Sequence, residues 1–580
     1  MEKFVEPYTC LVVYEVRSNL AKIFSMSQHT PYFNFLQTPP KLNNEFTDDT
    51  FLQDYLKTFL PEKMLQEIQP DLEKFGKETA TTYIDWAREA ETNPPQLIQF
   101  NAWGKRVDEI KVSQGWLNLE KVAATEGLVA IGYERKYAEH SRLYQFTKLY
   151  LYTASSAIYT CPLAMTDGAA RLIEFYGNDF LKEHAYKGLI SRNPETFKTS
   201  GQWMTERTGG SDVSRSMTLA TPDGDDYLLK GHKWFTSAIT ANMAFTLAST
   251  EQPEPGKRAP LSLFYLPIRN EDGSLNGIEV EALKDKLGTK ALPTAQLLLT
   301  GVKAKMVGEK GKGVKTIATL FNVTRIYNTI SAVSYLRRAF SLCNLYGTQR
   351  ETFGQKIENH VLHKKSLREM EIAYQSNTML AFFLTQLLGK EDCNTATETE
   401  NALLRLLTPV AKLYTAKQAI QYASEHIEMF GGIGYLEDSG IPAMLRDAQV
   451  LSIWEGTTNV LSLDMLRAVE KENGLTAFVE FSNQLLDSIN KPELQQQKIT
   501  AQKKLNTLLS FIKNLKSGNA TVAASRDIAF YLAEVTIALL WLEFINKGNN
   551  AKHYISALNY WLRYKMNENN LYAAEEMGVV

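Results

Sequence analysis

Near residue 200 the spacing of apolar residues changes from helical to alternating, and near 313 it changes back. A chain that switches period twice cannot be a uniform bundle or a uniform sheet. It has to hold a β unit between two helical ones. At 580 residues it is also too long for one core. The expected class is mainly α with a central β domain.

Residues 1–50 read as an irregular extension, with Pro31, Pro39 and Pro40. Residues 51–197 read as helical, for example Phe51-Leu52-x-x-Tyr55-Leu56-x-x-Phe59-Leu60. A polar stretch from Asn93-Pro94-Pro95 to Gly104-Lys105-Arg106-Val107-Asp108 interrupts them and reads as a loop. Residues 198–305 are rich in Gly, Thr and Ser. Short runs such as Tyr227-Leu228-Leu229, Phe245–Ala248, Leu261–Leu266 and Ala295–Leu299 read as strands, separated by turns at Pro222-Asp223-Gly224 and Glu271-Asp272-Gly273. Residues 306–475 return to the helical period, with breaks near 350–354, 390–396 and 430–440, which leaves about four long helices for a bundle. Residues 476–580 form an additional helical unit that includes the strongly apolar stretch Ile528–Phe544.

Bulk properties exclude several classes. The net charge is −2, so nothing global calls for nucleic acid. Cys10, Cys161, Cys343 and Cys393 lie far apart without a CxxC pair, which argues against a disulfide framework or a zinc site. His360 and His363 lack an accompanying carboxylate–histidine motif, so no metal is expected. No apolar run reaches the about 18–20 residues that span a bilayer, so no transmembrane segment is expected. Glu2, Glu6 and Glu15 argue for the cytoplasm. Arg17, Lys22 and the nearby serines, with Met26 as an alternative start, keep a mitochondrial address as the alternative. The terminus Met577-Gly578-Val579-Val580 is neither a peroxisomal nor a reticulum-retention signal.

Five segments carry chemistry. Arg446 through Asn459 reads as a helix end, a turn and a new helix start, with Gly456 permitting the turn and Thr457, Thr458 or Asn459 as caps. It presents the Glu455 carboxylate beside the Trp454 ring, next to helix-start N–H groups suited to a phosphate. Met204-Thr205-Glu206-Arg207-Thr208-Gly209-Gly210-Ser211-Asp212-Val213 clusters hydroxyls and open backbone at the edge of the β unit. It is not GxGxxG, and no GxxxxGK[ST] loop occurs, so a Rossmann or P-loop reading is excluded. Trp234 and Thr236 lie two apart on a strand, on one face, where an indole can lie along a flat ring while the hydroxyl bonds its polar edge. Gln349-Arg350-Glu351-Thr352-Phe353-Gly354 offers a bidentate arginine for pyrophosphate. Phe430-Gly431-Gly432-Ile433-Gly434-Tyr435 allows close backbone approach. Each segment alone has a routine structural explanation.

Taken in order, the five segments resemble the acyl-CoA dehydrogenase family, most clearly from Cys161 to Glu470. The spacing from Arg325 to Arg350 is similar too. The Asn93–Asp108 stretch and the added C-terminal unit resemble the AidB-like branch. The resemblance implies an N-terminal helical domain, a middle β-barrel or sandwich, a C-terminal four-helix bundle and an extra helical domain. It implies FAD as cofactor and a homotetramer built as a dimer of dimers. It also implies a fatty acyl-CoA or fatty acid ligand and an electron-transfer flavoprotein as acceptor. Met204, Thr205, Gly210 and Ser211 would line the flavin and thioester region, Ser211 on the substrate side as well. Trp234 and Thr236 would flank the isoalloxazine. Arg350 and Phe353 would reach the pyrophosphate side from the partner subunit, joined by the loop at Gly431 and Gly432. Thr457 and Asn459 would complete the FAD site, and Arg325 would stand near substrate.

Glu455 would be the catalytic base for α,β-dehydrogenation to a trans-2-enoyl-CoA. Two positions depart from the family pattern. Glu428 stands at the FAD site where many members carry Gln, and Asn322 where many carry Asp. They motivate the alternative of a flavoprotein that holds fatty acyl ligands in lipid or stress regulation with little turnover. A third reading is a DNA-associated AidB-like protein. It meets a C-terminal unit of eleven basic and nine acidic residues, too near neutral to favour phosphate contacts.

Overall fold

The computed structural model describes residues 36–252, 259–515, 518–548 and 551–572. Residues 1–35 and 573–580, on which the localisation expectations rest, lie outside the described residues, as does Cys10.

The chain opens with α1 (Thr50–Phe59), α2 (Glu62–Ala80) and α3 (Thr82–Thr92). Asp49 caps α1 by accepting from the Leu52 N–H. It is also buried, and it accepts from the Tyr150 hydroxyl at 2.8 Å and from Arg337 Nε at 2.9 Å. One carboxylate thus starts a helix and ties it to the distant bundle. After α4 (Gln114–Thr125) come α5 (Ser141–Thr153) and α6 (Thr160–Tyr176), both buried along most of their length.

The polar stretch expected as a loop is instead an antiparallel hairpin, β1 (Gln96–Phe100) with β2 (Arg106–Lys111). It forms because the barrel gives it partners. Gln99 Nε2 donates to the carbonyls of Val280 and Glu281, each at 3.0 Å, and Asp108 accepts from the Val280 N–H at 2.9 Å. A bilayer-length helix also exists, contrary to expectation: Asn519–Lys547 is long and apolar enough to cross a membrane. However, 83% of its most apolar window is buried inside the protein, so the fold uses it as a core helix.

The β unit holds β3 (Ser200–Trp203), β4 (Leu219–Asp223), β5 (Asp226–Ser237), β6 (Met243–Ser249), β7 (Leu261–Pro267), β8 (Ile278–Leu283) and β9 (Thr294–Val307). The pairings run β6-β4-β5-β9-β7 and return from β7 to β6, which closes a barrel; β3 and β8 attach outside that ring. Every residue of β6 is buried, so both faces of this strand are covered.

The bundle is built on α7 (Gly313–Gly347), packed by α8 (Val361–Asp392) and α9 (Glu398–Phe430). From Ile326 to Ala339 every residue of α7 is buried, polar ones such as Asn328, Arg337 and Arg338 included, so this helix is enclosed on all sides by its neighbours. The capping box of Thr397 and Glu400 starts α9. Then follow α10 (Ile441–Leu451) and α11 (Thr458–Lys471).

The last unit adds α12 (Gly474–Ser488), α13 (Gln495–Asn514), α14 (Asn519–Lys547) and α15 (Ala551–Tyr560). It is welded to the rest of the chain. Trp541 of α14 is fully buried, donates to Ser376 Oγ of α8 at 3.0 Å, and lies 6.0 Å from the Phe51 ring of α1.

Candidate active site

α10 stops at Leu451, and the chain turns through Ser452–Gly456 before Thr457 starts α11. Two consecutive residues of the turn take positive φ, Glu455 at 57° and Gly456 at 106°. Only the glycine was foreseeable. A Cβ at Gly456 would sit 2.8 Å from Leu461 Cδ2 at a φ that side chains rarely adopt, so any other residue is strained here. Glu455 in the left-handed region costs roughly 1–2 kcal/mol, which its surroundings have to offset. They do so on three sides. Arg325 Nε donates to the Glu455 carbonyl at 3.2 Å, Lys412 Nζ to the Gly456 carbonyl at 2.7 Å, and Trp454 Nε1 to Asn328 Oδ1.

The carboxylate points to the seam between barrel and bundle. Oε2 accepts from Thr324 Oγ1 at 2.6 Å, and Oε1 accepts from Gln202 Nε2 at 3.3 Å. Thr324 belongs to α7 and Gln202 to β3, so three elements meet at this one side chain. Burial pushes the Glu455 carboxyl above the usual carboxylate range. Thr324, Arg325, Lys412 and Gln202 pull the other way. Arg325 is fixed from behind by Asp464 at 2.7 Å, which also holds Arg405 at 2.6 Å. Cys161 of α6 is near enough to feel the Glu455 charge, and burial pushes its thiol up to about 12.

A second group surrounds Trp234. Met204 is buried, and the Thr205 carbonyl accepts from the Trp234 N–H at 3.0 Å. Gly210 and Ser211 lie exposed on the loop that follows. That loop hangs from a buried ion pair, Lys233 to Glu206 at 2.8 Å, whose carboxylate also takes Thr218 Oγ1 at 2.6 Å and the Ser216 hydroxyl. Lys284 Nζ lies 3.1 Å from the centre of the Trp234 ring, a cation–π contact absent from the sequence reading. Thr236 is fully buried and its hydroxyl donates to the Ala295 carbonyl at 2.7 Å. Its single proton is therefore used, and toward a ligand this hydroxyl acts as an acceptor.

A third group gathers at the far end of the bundle. Tyr346 near the end of α7 stacks on Phe430 at the end of α9, ring centres 4.2 Å apart. This places the hairpin after Arg350 and the glycine loop at one end. Phe353 and Gly354, at φ 49° and 80°, form the two-residue turn of that hairpin, the primed geometry a tight hairpin requires. The Phe353 ring is 98% exposed. Gly431 and Gly432 are exposed with open space where a Cβ would stand, and Glu428 is exposed on the last turn of α9. Arg325 and Tyr346 stand 21 positions apart on α7, about 30 Å at 1.5 Å per residue. Within one chain, Arg350, Phe353, Gly431 and Gly432 therefore do not meet Glu455.

Thr457 occupies the cap position of α11 without a side-chain capping bond, so its hydroxyl is available. Asn459 is exposed, and its Oδ1 accepts from Arg526 of α14 at 3.2 Å, a contact from the last domain.

Gln202, Thr324 and Lys412 were missed as site residues. Thr324 had a signal, since it adjoins Arg325. Lys412 had one too, as a lone cation in the apolar run Val410–Tyr414. Gln202 had none.

The residues present fit a flavin and its phosphates. Gln202 Oε1, beside Glu455, and His232 Nδ1, on the same strand face as Trp234, are buried polar atoms without a hydrogen-bond partner, the Glu281 carboxylate standing 3.8 Å from the latter. The Thr457 hydroxyl and the open backbone at Gly431 and Gly432 add acceptors, donors and room.

Comparisons with known proteins agree along the whole described chain. Residues 37–193 match the adaptive response protein AidB N-terminal domain, and 201–302 the acyl-CoA dehydrogenase middle domain. Residues 311–470 match the acyl-CoA dehydrogenase C-terminal domain, and 473–577 the acyl-CoA dehydrogenase 11 C-terminal domain-like family. The chain is 41% identical to acyl-CoA dehydrogenase family member 11 of Caenorhabditis elegans, covering 92% of this chain and 90% of that protein. It is 30% identical to the putative acyl-CoA dehydrogenase AidB of Escherichia coli, covering 71% and 77%. The crystal structure of Caenorhabditis elegans ACDH-11 in complex with C11-CoA superposes with a TM-score of 0.88 at 38% identity, covering 95% and 97%. With barrel, bundle and AidB-type flanking domains all accounted for, the chain belongs to the acyl-CoA dehydrogenase family, in its AidB-like branch.

Proposed function

We propose that the protein removes hydrogen from the α and β carbons of a fatty acyl-CoA, giving a trans-2-enoyl-CoA, with Glu455 as the base. Family membership supplies the coarser part: an oxidoreductase acting on acyl-CoA, with FAD as cofactor. The observation that carries the finer part is the Glu455 carboxylate, held at the seam by Thr324 and Gln202 with its proton affinity raised by burial.

A thioester α-proton is weakly acidic, so a base has to be desolvated and well aimed to take it. Glu455 meets both needs, because its backbone is fixed by Arg325 and its carboxylate by two side chains from other elements. Arg325 and Lys412 favour the ionised, competent form, and burial keeps that form reactive. Bound FAD supplies the acceptor for the hydride leaving the β-carbon. Met204, Thr205, Trp234 and Thr236 would hold its ring, and Thr457 and Asn459 its chain, with Gly210 and Ser211 toward the thioester.

The about 30 Å between Arg325 and the Tyr346 end of α7 supports a shared site. In this reading Arg350, Phe353, Gly431 and Gly432 serve the flavin of a partner subunit in a homotetramer, and the wholly exposed Phe353 ring is buried there. In this reading the protein works in a reducing compartment, the cytoplasm first and the mitochondrion as the alternative, and the AidB-like relationship supports the first.

The test is anaerobic titration of the purified yellow protein with straight-chain acyl-CoA thioesters, starting from C11-CoA. Wild type is expected to bleach. Glu455→Gln should retain flavin and lose bleaching. Unchanged bleaching in that variant removes Glu455 as base.

A further inference from the structure

We propose that Lys412 is a positioning residue for the base: with Arg325 it grips two successive carbonyl oxygens of the Glu455–Gly456 turn and so aims the carboxylate. This rests on Glu455 being the base.

Lys412 is fully buried in the middle of α9, flanked by Val410, Ala411, Leu413 and Tyr414, which are buried as well. An ammonium in such a place works against stability unless it is paired. Among the described residues its hydrogen-bond partner is not a carboxylate but the Gly456 carbonyl, at 2.7 Å. Arg325, from the neighbouring α7, takes the preceding carbonyl, that of Glu455, at 3.2 Å. Two cations from two packed helices thus hold adjacent peptide planes, at the two residues of positive φ.

Fixing a trans peptide's carbonyl fixes its N–H on the opposite side. With both carbonyls drawn toward the bundle, the N–H groups of Gly456 and Thr457 face away from it, and the Glu455 side chain is left one direction to leave the backbone. A neutral apolar residue at 412 would fill the space and leave the Gly456 carbonyl unheld.

The groups facing Lys412 are Glu455 from the turn, Arg325 from α7 and Lys417 on its own helix. Burial drives the Lys412 ammonium down to about 7, and the Glu455 charge opposes that fall. Its positive charge in turn favours ionised Glu455. Removing the charge should therefore move the acid limb of activity to higher pH.

Two full-length variants test this. Lys412→Met removes both donor and charge; Lys412→Gln keeps a donor and removes the charge. Amide hydrogen exchange of the peptide spanning 453–458 is read for each, along with the pH profile of flavin bleaching by C11-CoA. In Lys412→Met, exchange in that peptide should quicken about tenfold or more while peptides of α7 stay protected. Its kcat should fall with KM little changed. In Lys412→Gln, protection should persist while the acid limb still moves up. A folded variant with both wild-type exchange and a wild-type limb overturns the proposal. If Lys412→Met does not fold, Lys412→Gln decides by its pH limb. If wild type shows no bleaching at all, the dehydrogenase reading fails, and the exchange comparison still decides whether Lys412 grips the turn.

Discussion

Thr324→Val isolates the shortest contact to the base. The substitution keeps shape and removes a hydroxyl whose one proton is shared between the Phe321 carbonyl at 3.1 Å and Glu455 Oε2 at 2.6 Å. The shorter, charged acceptor takes it. A hydrogen bond to a charged group is worth about 1.5–3 kcal/mol, and about 1.36 kcal/mol is a tenfold change in an equilibrium. The ionised fraction of Glu455 on the acid side should therefore fall about ten- to a hundredfold. Gln202 remains bonded at 3.3 Å and Arg325 and Lys412 keep their charges, so the lower end, about tenfold, is expected. The direction follows from the chemistry. The lost donor favoured the carboxylate, so the proton is held more tightly and the acid limb of kcat/KM moves to higher pH. The alkaline plateau should stay near the wild-type value. The assay is the rate of flavin reduction by C11-CoA from about pH 5 to 9. An unmoved acid limb refutes the role given to Thr324. A uniform drop at every pH refutes it as well, because that would mean a displaced base rather than a more basic one.

His426 on α9 is fully buried with both ring nitrogens unpartnered, and burial pushes it from 6.5 down to about 3. A depressed group contributes stability that is present above its unfolded value and lost as pH falls toward its folded one. Between pH 6.5 and 5, wild type should lose about 2 kcal/mol by this route that His426→Leu keeps, measured by urea unfolding at both pH values; equal losses refute it. Gly456→Ala should destabilise by about 1–3 kcal/mol and slow flavin reduction, since it meets both a positive φ and Leu461. Gly432→Ala, in open space and without a positive φ, should change stability by less than about 1 kcal/mol, and thermal unfolding of the two variants side by side checks the ranking.

The order helical, β, helical was legible because apolar period is a local property. The Trp454-Glu455-Gly456 turn was legible because glycine marks the place where the backbone has to bend. What escaped detection depends on partners far along the chain. The hairpin at Gln96–Lys111 looked like a loop because the two prolines before it and its polar residues say nothing of Val280, which pins it. Gln202 meets Glu455 across 253 positions and Thr324 across 131, so neither could be placed before the barrel and bundle were closed on each other. The apolar stretch of α14 was underestimated because its helix begins well before Ile528, at Asn519, and runs on to Lys547.

The meeting of Trp541, Phe544 and Tyr554 with Phe51 also sets an order of events. Tyr554 gives its hydroxyl proton to Asp54 across 500 positions. During synthesis, the aromatic face of α1 emerges long before Tyr374 and Phe382 of α8 can begin to cover it, and its cover is completed only when α14 and α15 arrive. For that interval the nascent chain carries an apolar surface open to other chains, and its closing step is a contact of the longest range. Such a protein should depend on chaperones in proportion to translation time. Truncations before residue 541 should be recovered as aggregate rather than as a smaller enzyme.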